Sequence, residues 1–342
     1  MRRKIGVDLH KNSFRVCYYE NDKKYDFETH RVSVKGLEGF KKGLKKTDEV
    51  AVESTGNTGH FVRAIEGEIK RIRVINPFQF KIIAESVKKM DDEDALKIAR
   101  FLSKDMIPEV RMKTKAESQL GSLIGTRDKL VKLRTALKNK VHNILNANGI
   151  VTKTELLTSD KSLEKVLGKG LDASYQFELE IIVGEIRHLN EAIAKIDGQI
   201  NDRGRTLKGY EGVTSIAGIG GLSGTILLNA IGDVKYFRDE KALASYFGIM
   251  PRIYASNETV HMGRITKMGN KIARTALVQS TLIAIRYSPY LRAFYDSLKA
   301  KKGSGKAIIA TARKLLGIVY NTLKNNWVFE DFGNYKLALS CS

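Results

Sequence analysis

KIGVDL at residues 4–9 and EVAVES at residues 49–54 decide the fold of the first hundred residues. Each is a short run rich in apolar residues with an acid near its end, and such a run predicts a β-strand. Two further β-rich runs, FRVCYY at 14–19 and YDFETHRV at 25–32, follow the first after short polar turns. The first three runs predict an antiparallel meander, and EVAVES predicts a fourth strand.

The segments after the meander alternate between helix and strand. Helices are predicted over about 36–46 and 59–69, a fifth strand over 71–76, and a further helix from Pro77. Three antiparallel strands followed by α/β crossovers give a mixed sheet with helices on both faces. This order of elements is that of a ribonuclease H-like domain, which we place at residues 1–110.

Two long helices are predicted in the middle of the chain. Apolar residues recur at three- and four-residue steps over about 120–145 and again over about 175–200. The polar segment 151–172 separates them, which predicts a helical hairpin or coiled coil over 111–205. The first helix is basic, with nine Lys and Arg against two acids over 111–150. Its polar face suits a phosphate backbone and a solvated surface equally well.

The remainder, residues 206–342, is predicted to be a helical domain. The run SIAGIGGLSGTILLNAIGD at 215–233 places a GIGG turn between two apolar segments, which is the pattern of a helix-hairpin-helix element. Backbone amides at such a turn can approach a phosphate. Over residues 251–320, thirteen Lys and Arg stand against two acids. The candidate nucleic-acid-binding residues are the five cations in its first part: Arg252, Arg264, Lys267, Lys271 and Arg274.

The composition favours a nucleic-acid partner. The 342 residues include 59 Lys and Arg against 38 Asp and Glu, a net charge of +21, and such a surplus requires a polyanion or many counterions. Cys17 and Cys341 are lone cysteines, so we expect neither a disulfide framework nor a cysteine zinc site. Asp8 would interrupt an apolar signal core, and no run approaches ~18 apolar residues. We therefore expect a cytoplasmic protein.

Four acids form the candidate catalytic site. Asp8 and Glu53 lie near the ends of the first and fourth strands, which are neighbours at the centre of the sheet in this fold. Asp91 and Asp94 open a helix and share one face of it, because they are three residues apart. Clustered carboxylates repel one another unless a cation joins them. Their oxygens suit Mg²⁺ or Mn²⁺, and two such ions ~4 Å apart can activate the attacking oxygen and stabilise the leaving oxygen in phosphodiester cleavage.

Each acid taken singly has an ordinary explanation. Carboxylates at strand ends and in the first turn of a helix are common surface features, and the helix dipole favours the latter. Asp92 and Glu93 are the nearest competitors, and we assign them to solvent or to capping because they point to other parts of the helical turn. The four acids together, in a basic chain with this order of elements, favour a metal site.

Several stretches also resemble a known family, the DEDD transposases of bacterial insertion sequences, which are bridge-RNA-guided recombinases with a RuvC-like domain. The resemblance covers nearly the whole chain in the family's motif order. The stretches are DLHKNSFRV, AVESTGNTG, KMDDEDALKIA, SIAGIGGLSGTILLNAIGD, ALASYFGIMPRIYAS and GRITKMGNKIARTAL.

The resemblance implies functional residues and partners. Asp8, Glu53, Asp91 and Asp94 would be the DEDD set, and a serine after a Pro-Arg-x-Tyr stretch, here Ser256, would attack the scissile phosphate and form a phosphoserine link to DNA. A structured guide RNA would pair with donor and target DNA. Because recombination joins several strands, we expect a homodimer or homotetramer.

Two other functions stay open at this point. A metal-dependent, structure-selective nuclease of the Holliday-junction type would need the four carboxylates but not Ser256. A non-catalytic nucleic-acid-binding protein would bind with a steep salt dependence and be indifferent to Mg²⁺.

Overall fold

Contacts divide the chain into two units, Met1–Lys115 and Ala116–Ser342. The computed structural model describes residues 3–83, 90–152, 157–256 and 259–329. Within these ranges no helix is both long and apolar enough to cross a membrane. The finer division into three domains at residues 110 and 205 stays a prediction.

A five-stranded mixed sheet forms the centre of the first unit, in the order β3-β2-β1-β4-β5. The strands are β1 (Lys4–Leu9), β2 (Ser13–Asn21), β3 (Lys24–Arg31), β4 (Glu49–Glu53) and β5 (Arg71–Ile75). Strand β1 pairs antiparallel with β2 and parallel with β4, and Val7 lies opposite Val52. The predicted mixed sheet is confirmed, and its strand order is consistent with a ribonuclease H-like domain.

Helices cover both faces of this sheet. They are α1 (Val34–Lys42), α2 (Thr58–Ile65), α3 (Pro77–Ile83) and α4 (Asp91–Ser103). On one face, Phe14 of β2 meets Phe40 of α1 and Phe61 of α2, with ring centroids 5.3 and 5.1 Å away in edge-on contacts. On the other face, Cys17 packs with Ala95 of α4. Burial on both sides explains why β1 has no strict alternation of apolar and polar residues.

Helix α4 approaches β1 through a small-residue contact. A Cβ placed on Gly6 would lie 2.1 Å from the carbonyl oxygen of Ala95 and 2.5 Å from the amide nitrogen of Ala99. Since real Cβ atoms do not make such contacts with backbone, only glycine permits this helix to lie so close to the strand. The contact holds α4 directly against β1, the strand that ends in Asp8 and Leu9.

The second unit begins with a helical hairpin capped by a short helix. Helix α5 (Lys115–Ala147) pairs with α7 (Ala173–Arg205), and α6 (Asp160–Leu167) lies between them in sequence. The cross-helix pairs Arg127–Asp197, Arg134–Asn190 and Lys140–Glu178 run in opposite directions along the two helices. The structure therefore shows an antiparallel hairpin, one of the two predicted arrangements.

The polar segment predicted to separate the long helices contains α6. Its Leu163 and Val166 are buried in one cluster with Leu145 of α5 and Ile186 of α7. With only eight residues, α6 offers two buried positions, Leu163 and Val166, among mostly charged and polar residues. That is too few for a helical period to emerge from the sequence.

The rest of the second unit is a helical core with one exposed β-hairpin. Its elements are α8 (Tyr210–Thr214), α9 (Gly221–Ile231), α10 (Glu240–Tyr246), β6 (Pro251–Ser256), β7 (Thr259–Ile265), α11 (Lys271–Tyr287), α12 (Pro289–Lys302) and α13 (Ser304–Asn325). The hairpin β6–β7 was not predicted, since this region was expected to be mostly helical. Ile253, Tyr254 and Met262 are exposed on it, so among the side chains described there no buried apolar face gives an alternating pattern.

The GIGG turn lies between α8 and α9, and one of its glycines contacts α11. A Cβ on Gly218, whose φ is +91°, would lie 2.5 Å from the amide nitrogen of Ala284 and 2.6 Å from the carbonyl oxygen of Ser280. Gly218 is therefore required for the close approach of the turn to α11. A phosphate contact at this helix-hairpin-helix pattern stays a prediction.

Replacing Gly6 by alanine should destabilise the first unit by about 1–3 kcal/mol, because the added methyl group pushes α4 away from β1. The measurement is the free energy of unfolding from urea titration. Gly39→Ala in α1 is the matched control, since a Cβ there meets nothing within 4 Å and alanine favours the helix. Equal effects of the two substitutions would contradict this account of the α4 contact.

Candidate metal centre

Neighbouring parallel strands and one helix bring the four predicted acids together. Asp8 and Glu53 each follow the paired residues Val7 and Val52 by one position, so both lie at the carboxyl ends of β1 and β4. Asp91 and Asp94 are in the first turn of α4. The Asp8 side chain is only 13% exposed, whereas Asp91 is 67% exposed. The cluster is thus largely enclosed where it contacts the sheet and open to solvent at the start of α4.

His10 is a member of the cluster that the sequence analysis did not identify. Its Nε2 atom lies 3.2 Å from Oδ2 of Asp8 and 3.4 Å from Oδ2 of Asp91. The potential ligand atoms of these three residues all lie within 4.8 Å of one another. The available signal was the spacing in Asp-Leu-His, since residues two apart at a strand end face the same side.

Burial and mutual repulsion change the acidity of the two acids on the sheet. Burial is the main cause that raises the pKa of Asp8, the charges of Asp91 and Asp94 raise it further, and His10 opposes the rise. The pKa of Glu53 is also raised, by burial first and then by Asp8 and Asp94. The four carboxylates therefore form one electrostatic cluster that a bound cation would relieve.

The other acids of the α4 turn have different surroundings. Asp92 forms an ion pair with Arg15 of β2, and the Arg15 guanidinium lies 5.2 Å from the centre of the Phe27 ring. Glu93 is exposed. The ion pair gives Asp92 a structural role that the sequence analysis, which placed it in solvent or at the helix cap, did not predict.

The loop after β4 ties the two strand ends together. The Thr58 hydroxyl donates a hydrogen bond to the Glu53 carbonyl oxygen at 2.7 Å and accepts one from the Thr55 amide at 2.8 Å. The Asn57 side-chain amide donates to the His10 carbonyl oxygen at 2.8 Å. These contacts fix the backbone of Glu53 relative to that of His10, so the STGNT segment positions the cluster.

The predicted serine and cations lie in the second unit. Ser256 ends β6, where its backbone pairs with Thr259, and its side chain lies outside the part that the structure describes. The predicted cations occupy the hairpin, the turn after it and the start of α11. Four of them are exposed: Arg252, Arg264, Lys267 and Lys271. Arg274 is half-buried and donates a hydrogen bond to the Phe247 carbonyl oxygen at 3.1 Å, so it also has a structural contact.

Comparison with known families agrees with this architecture. Residues 5–148 match a DEDD-type transposase family of IS110 elements, and residues 210–296 match the transposase IS116/IS110/IS902 family. The chain is therefore a transposase, an enzyme of the class that cuts and joins DNA. It belongs to the IS110 family of insertion-sequence transposases.

Several curated proteins are similar over most of their length. The transposase for insertion sequence element IS1111A from Coxiella burnetii is 27% identical over 335 residues, covering 93% of this chain and 89% of that protein. A pilin gene-inverting protein from Moraxella bovis is 26% identical, covering 95% of this chain and 97% of that protein. A probable family 20 transposase from Pseudomonas aeruginosa is 27% identical, covering 69% and 71%.

The DEDD transposase family implies use of a divalent metal, and the residues present fit one. Asp8 and Asp91 offer carboxylate oxygens, the ligands that hard divalent cations prefer, and His10 adds an imidazole nitrogen within the same 4.8 Å. Glu53 and Asp94 are close enough to interact electrostatically with this group. Partial burial, followed by repulsion between the acids, raises the pKa of both half-buried residues, Asp8 and Glu53, and a bound cation would offset both effects.

Asp8→Asn should raise the melting temperature of the metal-free protein at pH 7. Because the pKa of Asp8 is raised in the folded state, its ionised form opposes folding at neutral pH, and the neutral amide removes that penalty. The gain should shrink as the pH falls and Asp8 becomes protonated. The measurement is thermal unfolding in EDTA.

Asp92→Asn is the matched control, from the same turn as Asp91. It breaks the ion pair with Arg15, so it should leave the melting temperature unchanged or slightly lower. If Asp8→Asn also lowers stability at pH 7, the carboxylates do not repel one another as described.

Proposed function

We propose that this transposase excises and inserts a mobile DNA element by cutting and rejoining DNA at a composite site. The carboxylate cluster of the first unit holds Mg²⁺ or Mn²⁺, and Ser256 of the second unit forms a covalent phosphoserine link to DNA. The observation that carries this proposal is the close approach of Asp8, His10 and Asp91, whose potential ligand atoms lie within 4.8 Å of one another, with Glu53 and Asp94 electrostatically coupled to Asp8.

The charge of the chain supports the metal. The protein carries a net charge of +21, yet the four acids of this cluster lie close together. Without a cation, their negative charges would repel a phosphodiester. With divalent cations bound, the same cluster attracts phosphate oxygens. Metal bound there would supply Lewis-acid stabilisation of charge on the phosphate and the sugar oxygens.

Ser256 would act in a transesterification. Its Oγ forms a bond to phosphorus while the bond from phosphorus to one sugar oxygen breaks; the serine proton passes to a base, and the departing sugar oxygen gains a proton. One phosphodiester bond replaces another, so the energy for rejoining is retained in the adduct. A serine hydroxyl needs such a base, a metal or strong local charge to react.

Nucleic-acid contacts complete the proposal. The exposed cations Arg252, Arg264, Lys267 and Lys271, together with Arg274, would hold phosphates around the cut. A structured guide RNA that pairs with donor and target DNA is part of the proposal, as is a dimer or tetramer that handles several strands together. The reaction would take place in the cytoplasm.

Glu53→Gln should lower strand cleavage at least about a thousandfold in Mg²⁺, since loss of one metal-holding carboxylate removes several kcal/mol of transition-state stabilisation. The measurement is the rate of cleavage of flanking element DNA with co-expressed RNA. The control Asp92→Asn should keep cleavage within about threefold of wild type, because Asp92 pairs with Arg15. Cleavage by wild type that persists in EDTA would refute the metal site.

Ser256→Ala should abolish any protein band that carries DNA covalently on a denaturing gel, because no Oγ is left to bond to phosphorus. Thr259→Ala is the control, since it removes another hydroxyl from the paired position of the same hairpin. Cleaved DNA with free ends and no adduct, unchanged in Ser256→Ala, would leave a metal-dependent nuclease and remove Ser256 from the mechanism.

A further inference from the structure

Hairpin β6–β7 presents an aromatic side chain to which the proposed reaction gives no role. Tyr254 of β6 is 59% exposed, although burial of an aromatic side chain is a large source of folding free energy. In the helical core of the same unit, by contrast, Tyr320 is 5% exposed. The ring of Tyr254 is therefore available to a partner.

A glycine on the neighbouring strand leaves room for the Tyr254 ring. A Cβ placed on Gly263 of β7 would lie 3.1 Å from Cε2 of the ring and 3.6 Å from the Cβ atom of Arg252. Arg252, Tyr254 and Gly263 therefore lie on one face of the hairpin. His261 pairs directly with Tyr254, and cross-strand partners share a face. This face thus combines an aromatic ring with a guanidinium group and an imidazole.

The charge around this aromatic face favours a polyanion. Arg252 and His261 are exposed beside Tyr254, and both can donate hydrogen bonds to phosphate oxygens. Over residues 251–274, five Lys and Arg stand against one acid, Glu258. Proteins that hold single strands of nucleic acid use this combination, in which bases stack on aromatic rings and cations contact the phosphates.

Tyr254 precedes the candidate nucleophile by two positions in the same strand. At a rise of about 3.3 Å per residue, the Cα atoms of Tyr254 and Ser256 are ~7 Å apart, which is the scale of one nucleotide. A DNA strand whose phosphate reaches Ser256 therefore has an adjoining base within reach of the Tyr254 ring. That base must be unpaired, because a base inside a duplex is already stacked on its neighbours.

We propose that Tyr254 stacks on one unpaired base of the DNA strand that the hairpin holds, with Arg252 and His261 at neighbouring phosphates. This base adjoins the phosphate that Ser256 would attack, so the stack positions the strand for cutting. The contact tolerates any base, because every base has a flat aromatic face. That the ligand is DNA rests on the proposed function; the exposed ring and the charge around it do not.

The test is equilibrium binding of the full-length protein in EDTA, measured by fluorescence anisotropy. The probes are a labelled ten-nucleotide oligo-thymidylate DNA, an abasic DNA strand of the same length, and an oligo-uridylate RNA of the same length. Wild type should bind the oligo-thymidylate about tenfold more tightly than the abasic strand, the gain expected for one base stacked on an aromatic ring.

Tyr254→Ala should reduce this preference to twofold or less and leave binding of the abasic strand within twofold of wild type. Tyr254→Phe should keep the preference, because the ring stacks without its hydroxyl group. Tyr287→Ala is the matched control, since it removes a tyrosine that is 72% exposed at the end of α11, and it should also keep the preference. A preference retained in Tyr254→Ala would overturn the proposal.

The salt dependence of binding separates stacking from a role in the shape of the hairpin. Tyr254→Ala should leave the slope of log Kd against log salt unchanged for the oligo-thymidylate, because a lost stack releases no counterions. Arg252→Ala should reduce that slope by about 0.7, the value for one phosphate contact with a single strand. If Tyr254 only maintained the hairpin, its loss would also displace Arg252 and reduce the slope, and this result would overturn the proposal.

The assay needs neither divalent metal nor cleavage, so failure of the metal site or of Ser256 does not affect it. Equal binding of oligo-thymidylate and abasic strand by wild type would overturn this inference alone. Wild type that binds none of the strands would contradict the proposed function as well. An effect of Tyr254→Ala on the RNA strand but not on the DNA strand would place the stacked base in RNA and overturn its assignment to DNA.

Discussion

The contact of α4 with β1 at Gly6 is the constraint on which the first unit depends. A helix at ordinary distance from a sheet would hold Asp91 and Asp94 several ångströms farther from the end of β1. Because Gly6 has no side chain and faces Ala95 and Ala99, the backbones of β1 and α4 lie in direct contact. The acids of a helix and of two strands can then share one cation although they are up to 86 residues apart in sequence.

As an electrostatic consequence, the charged acids of the cluster destabilise the folded protein when no cation is bound to them. Burial and mutual repulsion raise the pKa of both Asp8 and Glu53, while His10 partly compensates. The protein maintains this arrangement through neutral contacts, such as the hydrogen bonds from Thr58 and Asn57 that hold the ends of β4 and β1. Such stored repulsion is typical of functional sites, because the binding of a cation releases it.

The sequence predicted the sheet, and placed the four candidate acids at its strand ends and at the start of a helix, because each of these features depends on a local pattern. Apolar strands with an acid near the end indicate both the strand and the edge at which the acid lies, and a spacing of three indicates one helical face. His10 was missed because, in the sequence, it is one histidine in a polar turn and looks like a surface residue. Only the packing of α4 places Asp91 beside it. The hairpin β6–β7 was missed because the apolar side chains Ile253, Tyr254 and Met262 are exposed on it and give no alternating pattern.

The most direct test of the central claim is to locate the metal in the full-length protein. Crystals grown with Mn²⁺ and measured at the manganese absorption edge should show an anomalous peak within bonding distance of Asp8 and Glu53, with Asp91 or Asp94 on its open side. The same measurement on Asp8→Asn should show the peak weakened or absent. Manganese bound elsewhere, or no peak at this edge of the sheet at millimolar Mn²⁺, would contradict the assignment of the four acids to a metal centre.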